Sequence, residues 1–579
     1  MNTNKTAWMR MACWRWMGAA LLACGLVRPP LAHGEGKWIE LAHLAPDYIG
    51  TMLLLSDGTV IGNNGASNWY RLTPDSTGGY TNGSWSTNIA IMHYPRLYFA
   101  SQVLTNGQVF IAGGEYSTNN GGGTAEVYNP LNNRWTLAPS TPAPVQFLDS
   151  ISDMLPDGNV LVAPVDPSAN GGTLIWNTAS STWSVGPTLY RWGDQSEASW
   201  VKLPDNSILT VDALGDGSAP GTTSERYIPS INQWIPDMNL QVQLWANLLP
   251  YYVGEGGPAF LLPNGKAFFL GGSGATALYT PSGNTNQGSW QAGPSIPGSY
   301  VAADAPGAMM VNGKVLCAVA PAPYFTQVTN LNFPSPTYFY EYNYSTGSTG
   351  AFTQIHAPNG SYTNSGPTYV TRLLDLPDGT VLFSLNGNYF YDYVPDGSPL
   401  AAGQPNIYGV SYTPGGALLI TGALFNGISE GAGYGDDAQM DSNYPLVRFT
   451  SGGKVYYGRT FNWNTTGVMT GSQVVSTECT VPTNLPPGSC SMSVIANGIA
   501  SSPVSFYGPV WVDFNYTGGT QNGTHQYPYK TLAQGVSAVA SGGTIFVNGS
   551  VQPSISSETP TLTKAMTIVS VGGSSTIGE

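Results

Sequence analysis

The chain has 579 residues, of which 72 are glycine and 44 are proline, and only 9% of its residues carry a charge. Its formal net charge is −14, so no basic face is available for a phosphate backbone, and nucleic-acid binding is not expected. A weakly charged chain this rich in turn residues favours an all-β architecture, and its length allows several domains.

The first 34 residues have the pattern of an export signal. A positive flank that includes Lys5 and Arg15 precedes the apolar run WMGAALLACGLV, and small residues follow it. We therefore expect a signal peptide over residues 1–34 and a secreted or cell-surface protein. LLAC also resembles a bacterial lipobox, so the alternative is a lipoprotein signal that ends before Cys24, which would carry a lipid anchor. No later apolar run reaches the roughly 18 residues of a spanning helix, so no transmembrane segment is predicted.

A hairpin signal recurs seven times between apolar runs, as in LLLSDGTVIG and QVLTNGQVFIAGG. Asn-Gly and Asp-Gly tolerate the positive φ of a two-residue hairpin turn, so each pair marks two antiparallel strands. The seven turns are Asp57-Gly58, Asn106-Gly107, Asp157-Gly158, Asp205-Asn206, Asn264-Gly265, Asn312-Gly313 and Asp378-Gly379. Strands centred on tyrosine or tryptophan interleave with them at intervals of about 50 residues, which predicts the four-stranded blades of a β-propeller.

The seventh unit lacks its aromatic outer strand, and the N-terminus supplies a spare one. GKWIELAHLAP, around Trp38, has the tryptophan that is missing after NYFYDYVPDG. We predict that this strand closes the ring between the first and last blades of a seven-bladed propeller over residues 35–400.

Two further regions follow the propeller. Residues 405–508 show short alternating strands, which predict an immunoglobulin-like β-sandwich. Residues 509–579 combine a short helix with strands near Thr544 and after Lys564. This pattern predicts the cap and first rungs of a right-handed parallel β-helix. Because the chain ends after about two rungs, we expect a fragment of a longer β-helix protein, or an open end that something else covers.

The repeat pattern resembles the kelch-type propeller, and a propeller followed by such a sandwich is similar to the galactose oxidase and glyoxal oxidase family. Gly113-Gly114 and Gly271-Gly272 match the kelch diglycine, and GYGDDAQMDSNYPLVRF is similar to the last domain of that family. The resemblance implies a copper ion held by two tyrosines and two histidines. It also implies a cysteine cross-linked to one tyrosine, and the oxidation of alcohols or aldehydes.

The copper residues that this resemblance implies are largely missing. Tyr128 and Tyr369 match the two tyrosines, but Val370 stands where a histidine is required and Tyr98 where the cysteine is required. Residues 405–508 contain no histidine. Since copper in such a site needs imidazole nitrogens, we expect no catalytic residue, no metal and no cofactor. The alternative is a copper-radical oxidase with an altered site that uses Tyr128 and Tyr369.

In a four-stranded blade the hairpin turns lie on one face of the propeller, and the links between blades lie on the other, which we call the loop face. The links are rich in aromatic and charged side chains, which suit sugar rings or a peptide because rings stack while polar tips orient the ligand. The predicted ligand-binding residues are Tyr48, Arg96, Arg191, Trp192, Asp194, Trp245, Tyr251, Tyr252 and Asp304. The predicted function is that of a non-catalytic recognition protein for carbohydrate or protein, and a structural cell-surface module is a further alternative.

Two smaller patterns concern single sites. Cys479 and Cys490 bracket a short loop and are candidates for a disulfide in an oxidising compartment. Asp436 and Asp437 lie in an acidic stretch whose oxygen ligands suit calcium, although the spacing is not that of an EF-hand and an exposed acidic turn is the alternative.

Overall fold

The computed structural model describes residues 34–117, 121–165, 172–191, 195–212, 221–248, 253–327, 330–434 and 440–578. Within these ranges nearly every element is a β-strand, and the one α-helix is Leu532–Ala538. The predicted all-β class is confirmed. No helix of the described ranges is long and apolar enough to cross a membrane. Residues 1–33, which hold Cys24 and nearly all of the predicted signal, lie outside them.

Seven antiparallel sheets form the blades of a propeller, and each blade has four strands that run from the central channel to the rim. Blade 1 consists of Met52–Leu54, Val60–Asn63, Trp69–Thr73 and Ser84–Ser86. Blade 2 consists of Ala100–Val103, Val109–Ala112, Ala125–Asn129 and Arg134–Leu137. Blade 3 consists of Ser152–Met154, Val160–Val162, Gly172–Asn177 and Thr182–Thr188. Blades 4 and 5 consist of Trp200–Lys202, Ile208–Val211, Ser224–Ile228 and Gln233–Pro236, and of Ala259–Leu261, Ala267–Leu270, Thr276–Thr280 and Ser289–Ala292. Blade 6 consists of Pro306–Met309, Val315–Pro321, Tyr338–Asn343 and Ala351–Ile355. Blade 7 consists of Arg372–Asp375, Val381–Ser384, Phe390–Val394 and the N-terminal strand Lys37–Glu40.

The N-terminal strand closes the ring as predicted. Lys37–Glu40 pairs antiparallel with Phe390–Val394, and Trp38 stands opposite Tyr393. The Trp38 ring lies 4.7 Å from the Tyr393 ring, and its Nε1 donates a hydrogen bond of 2.7 Å to the carbonyl of His356 in blade 6. One side chain therefore ties the first strand of the propeller to its last two blades.

All seven predicted hairpins are present, and each has one left-handed residue with φ between +65° and +91°. These residues are Gly58, Gly107, Gly158, Asn206, Gly265, Gly313 and Gly379. The loops are one residue longer than predicted. In blade 1 the N–H of Leu55 donates to the carbonyl of Thr59 (2.7 Å), and the N–H of Gly58 donates back to the carbonyl of Leu55 (2.9 Å). This is the three-residue loop, in which only the third residue needs a positive φ.

Residues 406–508 form one curled sheet rather than two separate ones. Its strands are Asn406–Tyr412, Leu418–Ala423, Leu446–Ser451, Lys454–Phe461, Val475–Thr480, Gly488–Ala496, Ile499–Ala500 and Val504–Gly508. The strand Lys454–Phe461 joins the two halves, since residues 454–458 pair with one half and residues 459–461 with the other. Side chains from both halves share one core. The two halves of this curled sheet wrap around a single core, and the immunoglobulin-like sandwich stays a prediction.

The predicted disulfide is not formed. Cys479 and Cys490 are both free and buried. They lie on strands that do not pair with each other, and both belong to the apolar core of the curled sheet. Burial raises the pKa of each thiol. The two cysteines therefore act as small apolar core residues.

The curled sheet covers the hairpin face of the propeller. Tyr457 packs on Gly58 in the blade 1 hairpin. In blade 2, Nη2 of Arg459 donates to the carbonyl of Asn106 (2.6 Å), and in blade 3, Oγ1 of Thr466 donates to the carbonyl of Leu155 (2.9 Å). These contacts occupy hairpin turns, so a surface for ligands is expected on the loop face.

The last segment has parallel strands, unlike the rest of the molecule. Val510–Val512, Gly543–Asn548 and Met566–Val571 form one parallel sheet, and Ile555–Ser556 pairs in parallel with Thr576–Ile577. The helix Leu532–Ala538 starts after Thr531, whose side chain accepts the N–H of Gln534 as an N-cap. Successive coils are stacked in this segment, and the β-helix stays a prediction.

Candidate functional site

A segment of the curled-sheet domain enters the central channel of the propeller. Its strand Ala432–Tyr434 pairs antiparallel with Pro306–Met309, the innermost strand of blade 6. The two ends of the segment meet, since the N–H of Ser442 donates to the carbonyl of Glu430 (2.9 Å). The channel is therefore filled from the hairpin side, and its accessible end lies on the loop face.

Buried charges surround this inserted segment. Nζ of Lys202, from the innermost strand of blade 4, lies 2.6 Å from Oδ1 of Asp153 and 3.2 Å from Oε1 of Glu430. Burial and then the charge of Glu430 raise the pKa of Asp153 well above its usual range, and the same two causes raise that of Asp441. One ammonium thus faces three carboxyl groups beside a cavity of about 40 Å³. This cluster ties the inserted segment to the innermost strands of blades 3 and 4.

At the loop-face end of the channel, four non-glycine residues adopt the left-handed backbone conformation. Tyr98, Asp149, Glu197 and Asp304 have φ values of 54°, 45°, 60° and 45°. Each stands two or three residues before the innermost strand of blade 2, 3, 4 or 6. Such a conformation costs about 1–3 kcal/mol per residue and concentrates at functional sites. Four blades therefore hold strained residues around one opening.

Tyr116 lies among these residues. Its ring centroid is 6.0 Å from that of Tyr98, and the residue is 65% exposed. Partial burial, followed by the negative charges of Glu115, Asp149 and Asp304, raises the pKa of the Tyr116 phenol to about 12. Acids from blades 3 and 6 therefore act on one tyrosine of blade 2, as expected if they share an opening.

Blade 7 adds a cation and another aromatic ring. The guanidinium of Arg372 lies 5.7 Å from the centroid of the Tyr98 ring, and its Nη1 donates to the carbonyl of Tyr369 (2.6 Å). The Tyr369 ring packs 5.2 Å from that of Phe333. We call the following set the mouth: Tyr98, Glu115, Tyr116, Asp149, Glu197, Asp304 and Arg372. Of these, only Asp304 belongs to the predicted ligand-binding set.

Arg96, predicted to contact a ligand, is buried beneath the mouth with only 1% of the residue exposed. Its Nη1 donates to the carbonyl of Gly113 (2.7 Å), and its Nη2 donates to Oε1 of Glu126 (3.1 Å). The Glu126 carboxylate also accepts the N–H of His93 (3.0 Å). This corrects the prediction, because a buried guanidinium that satisfies carbonyl and carboxylate oxygens positions the link ending in Tyr98 and has no free surface for a ligand.

Blade 4 contains a counterpart of this anchor. Glu225 accepts the N–H of Tyr190 (2.7 Å). Its carboxyl neighbour is Asp212, and burial, followed by the hydrogen bond with Asp212, raises the pKa of Glu225 to about 9. Nε of Arg191, a predicted ligand residue, lies 3.0 Å from Oδ2 of Asp212. Arg191 is therefore held at the loop face by an ion pair.

The other predicted ligand-binding residues differ in their exposure to solvent. Tyr48 is 66% exposed. Trp245 is only 4% exposed and packs against Gly221 and Gly256, where the missing Cβ lets the indole approach the backbone. Its predicted ligand role is therefore corrected to a packing role. The residues Trp192, Asp194, Tyr251, Tyr252, Asp436 and Asp437 lie outside the described ranges.

Tyr128 and Tyr369, the tyrosines of the oxidase alternative, stand at opposite ends of their blades. Tyr128 is fully buried opposite Val109, next to the blade 2 hairpin, and its hydroxyl donates to Oδ1 of Asn133 (3.0 Å). Tyr369 precedes the innermost strand of blade 7, beside the mouth. In the described part of the chain, no group of three or more His, Cys, Asp or Glu side chains is arranged to hold a metal ion. These donors do not fit the copper centre that the resemblance implies.

One family model matches part of the propeller, and several solved structures are similar to the chain. A model of the Kelch motif matches residues 96–142, which comprise blade 2 and the end of its link. The propeller is of the kelch type. A fungal alcohol oxidase of the AA5 family in complex with copper is similar to the chain at 13% identity and a TM-score of 0.43, with 82% of this chain and 99% of that chain covered. No curated protein matches the sequence.

Two other solved structures are similar to this kelch propeller. YjhT is 14% identical, with a TM-score of 0.33 over 52% of this chain and 96% of that chain. The extracellular domain of the one-component system BT4673 from B. thetaiotaomicron is 13% identical, with a TM-score of 0.39 over 67% of this chain and 44% of that chain.

Proposed function

We propose that this protein is a non-catalytic recognition protein that binds carbohydrate or protein at the mouth of its kelch propeller. The observation that carries the proposal is the convergence of acids and tyrosines from four blades on one opening, above the buried guanidinium of Arg372. Aromatic faces stack on sugar rings or apolar side chains, and carboxylates accept hydrogen bonds from hydroxyl or amide groups.

The backbone strain at the mouth supports binding. Tyr98 and Asp304 are held in left-handed conformations by links that are anchored below the surface, as the buried Arg96–Glu126 pair illustrates. A site whose geometry is set before the ligand arrives loses less conformational entropy on binding. We favour recognition over a purely structural surface module because an exposed tyrosine and acids from several blades share this opening.

The same proposal includes no metal and no cofactor. Tyr128 and Tyr369 are separated by the height of a blade, and the matching histidine and cysteine positions hold Val370 and Tyr98.

We also propose a secreted or cell-surface location, with a lipid anchor at Cys24 as the alternative to cleavage near Gly34. For the last segment, we propose the first coils of a parallel β-helix, because its strands pair in parallel.

The test is a screen of the purified mature chain on glycan and peptide arrays, followed by titration of the strongest ligand. We expect saturable binding that Tyr116→Ala and Asp304→Asn each weaken by about tenfold or more. The control is Tyr408→Ala, which removes a tyrosine of the curled sheet that is 57% exposed, against 65% for Tyr116. Absence of any saturable ligand, together with one copper ion per chain after copper loading and desalting, would instead support the oxidase.

A further inference from the structure

A second cavity, of about 490 Å³, lies on the hairpin face of the propeller, far from the mouth. Four turns enclose it. They are the hairpin turns of blades 3 and 4 and the turns between the third and fourth strands of blades 4 and 5. Its volume falls within the roughly 300–1,000 Å³ of small-molecule sites.

The curled sheet borders this cavity but does not fill it. Thr466 binds the carbonyl of Leu155, and Gly467 lies beside the side chain of Asn206. Leu155 and Asn206 line the cavity, whereas none of the described residues of the curled sheet does. The cavity therefore lies at the edge of the domain contact, on a part of the hairpin face that the second domain leaves free.

Apolar groups form part of the cavity wall, and the polar side chains that line it are two carboxylates and neutral Asn, Ser and Thr groups. Pro156, Tyr227 and Pro229 contribute rings to the wall. Asp157 and Asp205 contribute carboxylates from neighbouring blades, and none of the described residues lining the cavity is Lys, Arg or His. Burial, followed by the negative charge of Asp157, raises the pKa of Tyr227 to about 12. The charge of Asp157 therefore acts on a side chain of the cavity wall.

A cation close to Asp205 is already engaged. Arg226 is fully buried behind the cavity, with its Nε 2.5 Å from Oδ2 of Asp237. Its Nη2 donates to the carbonyl of Asn284 (3.1 Å), whereas its Nη1 is 3.7 Å from Oδ2 of Asp205. Two aspartates near one arginine leave an excess of negative charge, and the Asp157 carboxylate is bonded only within its own turn, to Asn159.

We propose that this cavity binds a small organic cation, namely an amine or guanidinium group carried on an apolar or aromatic frame. The frame packs on the proline and tyrosine walls, and the cationic group lies between the carboxylates of Asp157 and Asp205. Neutral ligands of the same shape gain the wall contacts but not the charge interaction. This site is independent of the function proposed for the mouth.

The experiment is a calorimetric titration of the full mature chain with phenethylamine and with 2-phenylethanol, its neutral counterpart. We expect saturable binding of the amine and binding of the alcohol that is weaker by about tenfold or more. Raising the ionic strength weakens amine binding, since the carboxylates are partly exposed. Equal affinities for the two probes, or no binding of the amine, overturn the proposal.

Substitutions of the two aspartates test whether the amine binds in this cavity. Asp157→Asn and Asp205→Asn should each weaken amine binding by about threefold or more. Asp75→Asn in blade 1 is the matched control, because Asp75 Oδ1 accepts the N–H and Oγ1 of Thr77 just as Asp205 Oδ1 accepts the N–H and Oγ of Ser207.

A second variant avoids any change in charge. Ser230 lines the cavity and is exposed, so Ser230→Trp fills the space without altering the carboxylates. We expect this variant to keep the wild-type melting temperature and to lose amine binding. Unchanged amine affinity in Ser230→Trp and in both aspartate variants places the amine elsewhere and overturns the proposal.

Discussion

Blades 2 and 4 bury a glutamate at the same register and surround it in opposite ways. Glu126 and Glu225 are each the second residue of the third strand, and each accepts backbone N–H groups from the preceding link. Blade 2 pairs its glutamate with Arg96, whereas blade 4 places Asp212 beside it. The kelch register thus fixes where the carboxyl group lies, whereas the side chain beside it differs between the two blades.

The difference begins at the end of the second strand. Blade 2 has Gly113 there, and Arg96 reaches its carbonyl oxygen. In blade 4 the residue after the second strand is Asp212, whose carboxyl group lies beside Glu225 and forms an ion pair with Arg191 nearer the surface. An ion pair therefore anchors the blade 2 link, and two neighbouring carboxyl groups lie at the blade 4 link.

The largest effect is expected for Glu126→Gln. This change leaves the fully buried guanidinium of Arg96 without its counter-charge, and breaking such a pair lowers the free energy of unfolding by about 3–5 kcal/mol. The measurement is urea unfolding at pH 7, followed by tryptophan fluorescence. A loss below about 1 kcal/mol would show that backbone carbonyls alone neutralise Arg96 and would remove the contrast between the two blades.

Glu225→Gln should act in the opposite direction at high pH. The pKa of Glu225 is about 9 in the folded chain against an ordinary value of 4.5, so the folded state keeps a proton that the unfolded chain releases. Wild-type stability therefore falls as the pH rises from about 4.5 to about 9, and the glutamine variant, which mimics the protonated form, escapes this loss.

This second prediction is measured as the free energy of unfolding at pH 5 and at pH 9. We expect the variant to be similar to the wild type at pH 5 and more stable by about 2–4 kcal/mol at pH 9. A variant that is destabilised equally at both pH values would show that the folded chain does not retain the proton on Glu225.

Asp212→Asn should have the smallest effect of the three. It removes the carboxyl group that raises the pKa of Glu225, and it also removes the ion-pair partner of Arg191, a side chain that is 24% exposed. We expect a loss of about 0.5–1 kcal/mol at pH 5. The pH dependence that is due to Glu225 should become shallower, which comparing the same two pH values would show. An unchanged slope would assign the raised pKa to burial alone.

The sequence predicted the repeating parts of this fold because their causes are local. Asp57-Gly58 and its six counterparts form turns since their chemistry suits a left-handed residue, and Trp38 is recognised by its place in a series of aromatic strands. The loops are one residue longer than predicted, because the same dipeptides suit both hairpin types.

The candidate site was largely beyond such reasoning because it depends on long-range packing. Tyr98 and Asp149 adopt left-handed conformations without the glycine or asparagine that signals them. Arg96 lies in a link, so it was assigned to the surface, although Glu126 draws it into the interior. The insertion of Ala432–Tyr434 beside blade 6 joins segments more than 100 residues apart, which no local pattern encodes.

The most direct test of the central claim is the affinity of the array-selected ligand for the wild type, Tyr116→Ala and Tyr408→Ala, measured by calorimetry with melting temperatures recorded in parallel. If the mouth is the recognition site, Tyr116→Ala weakens binding by about tenfold or more at an unchanged melting temperature, and Tyr408→Ala binds like the wild type. Equal affinity for all three proteins would contradict the account and move recognition away from the mouth.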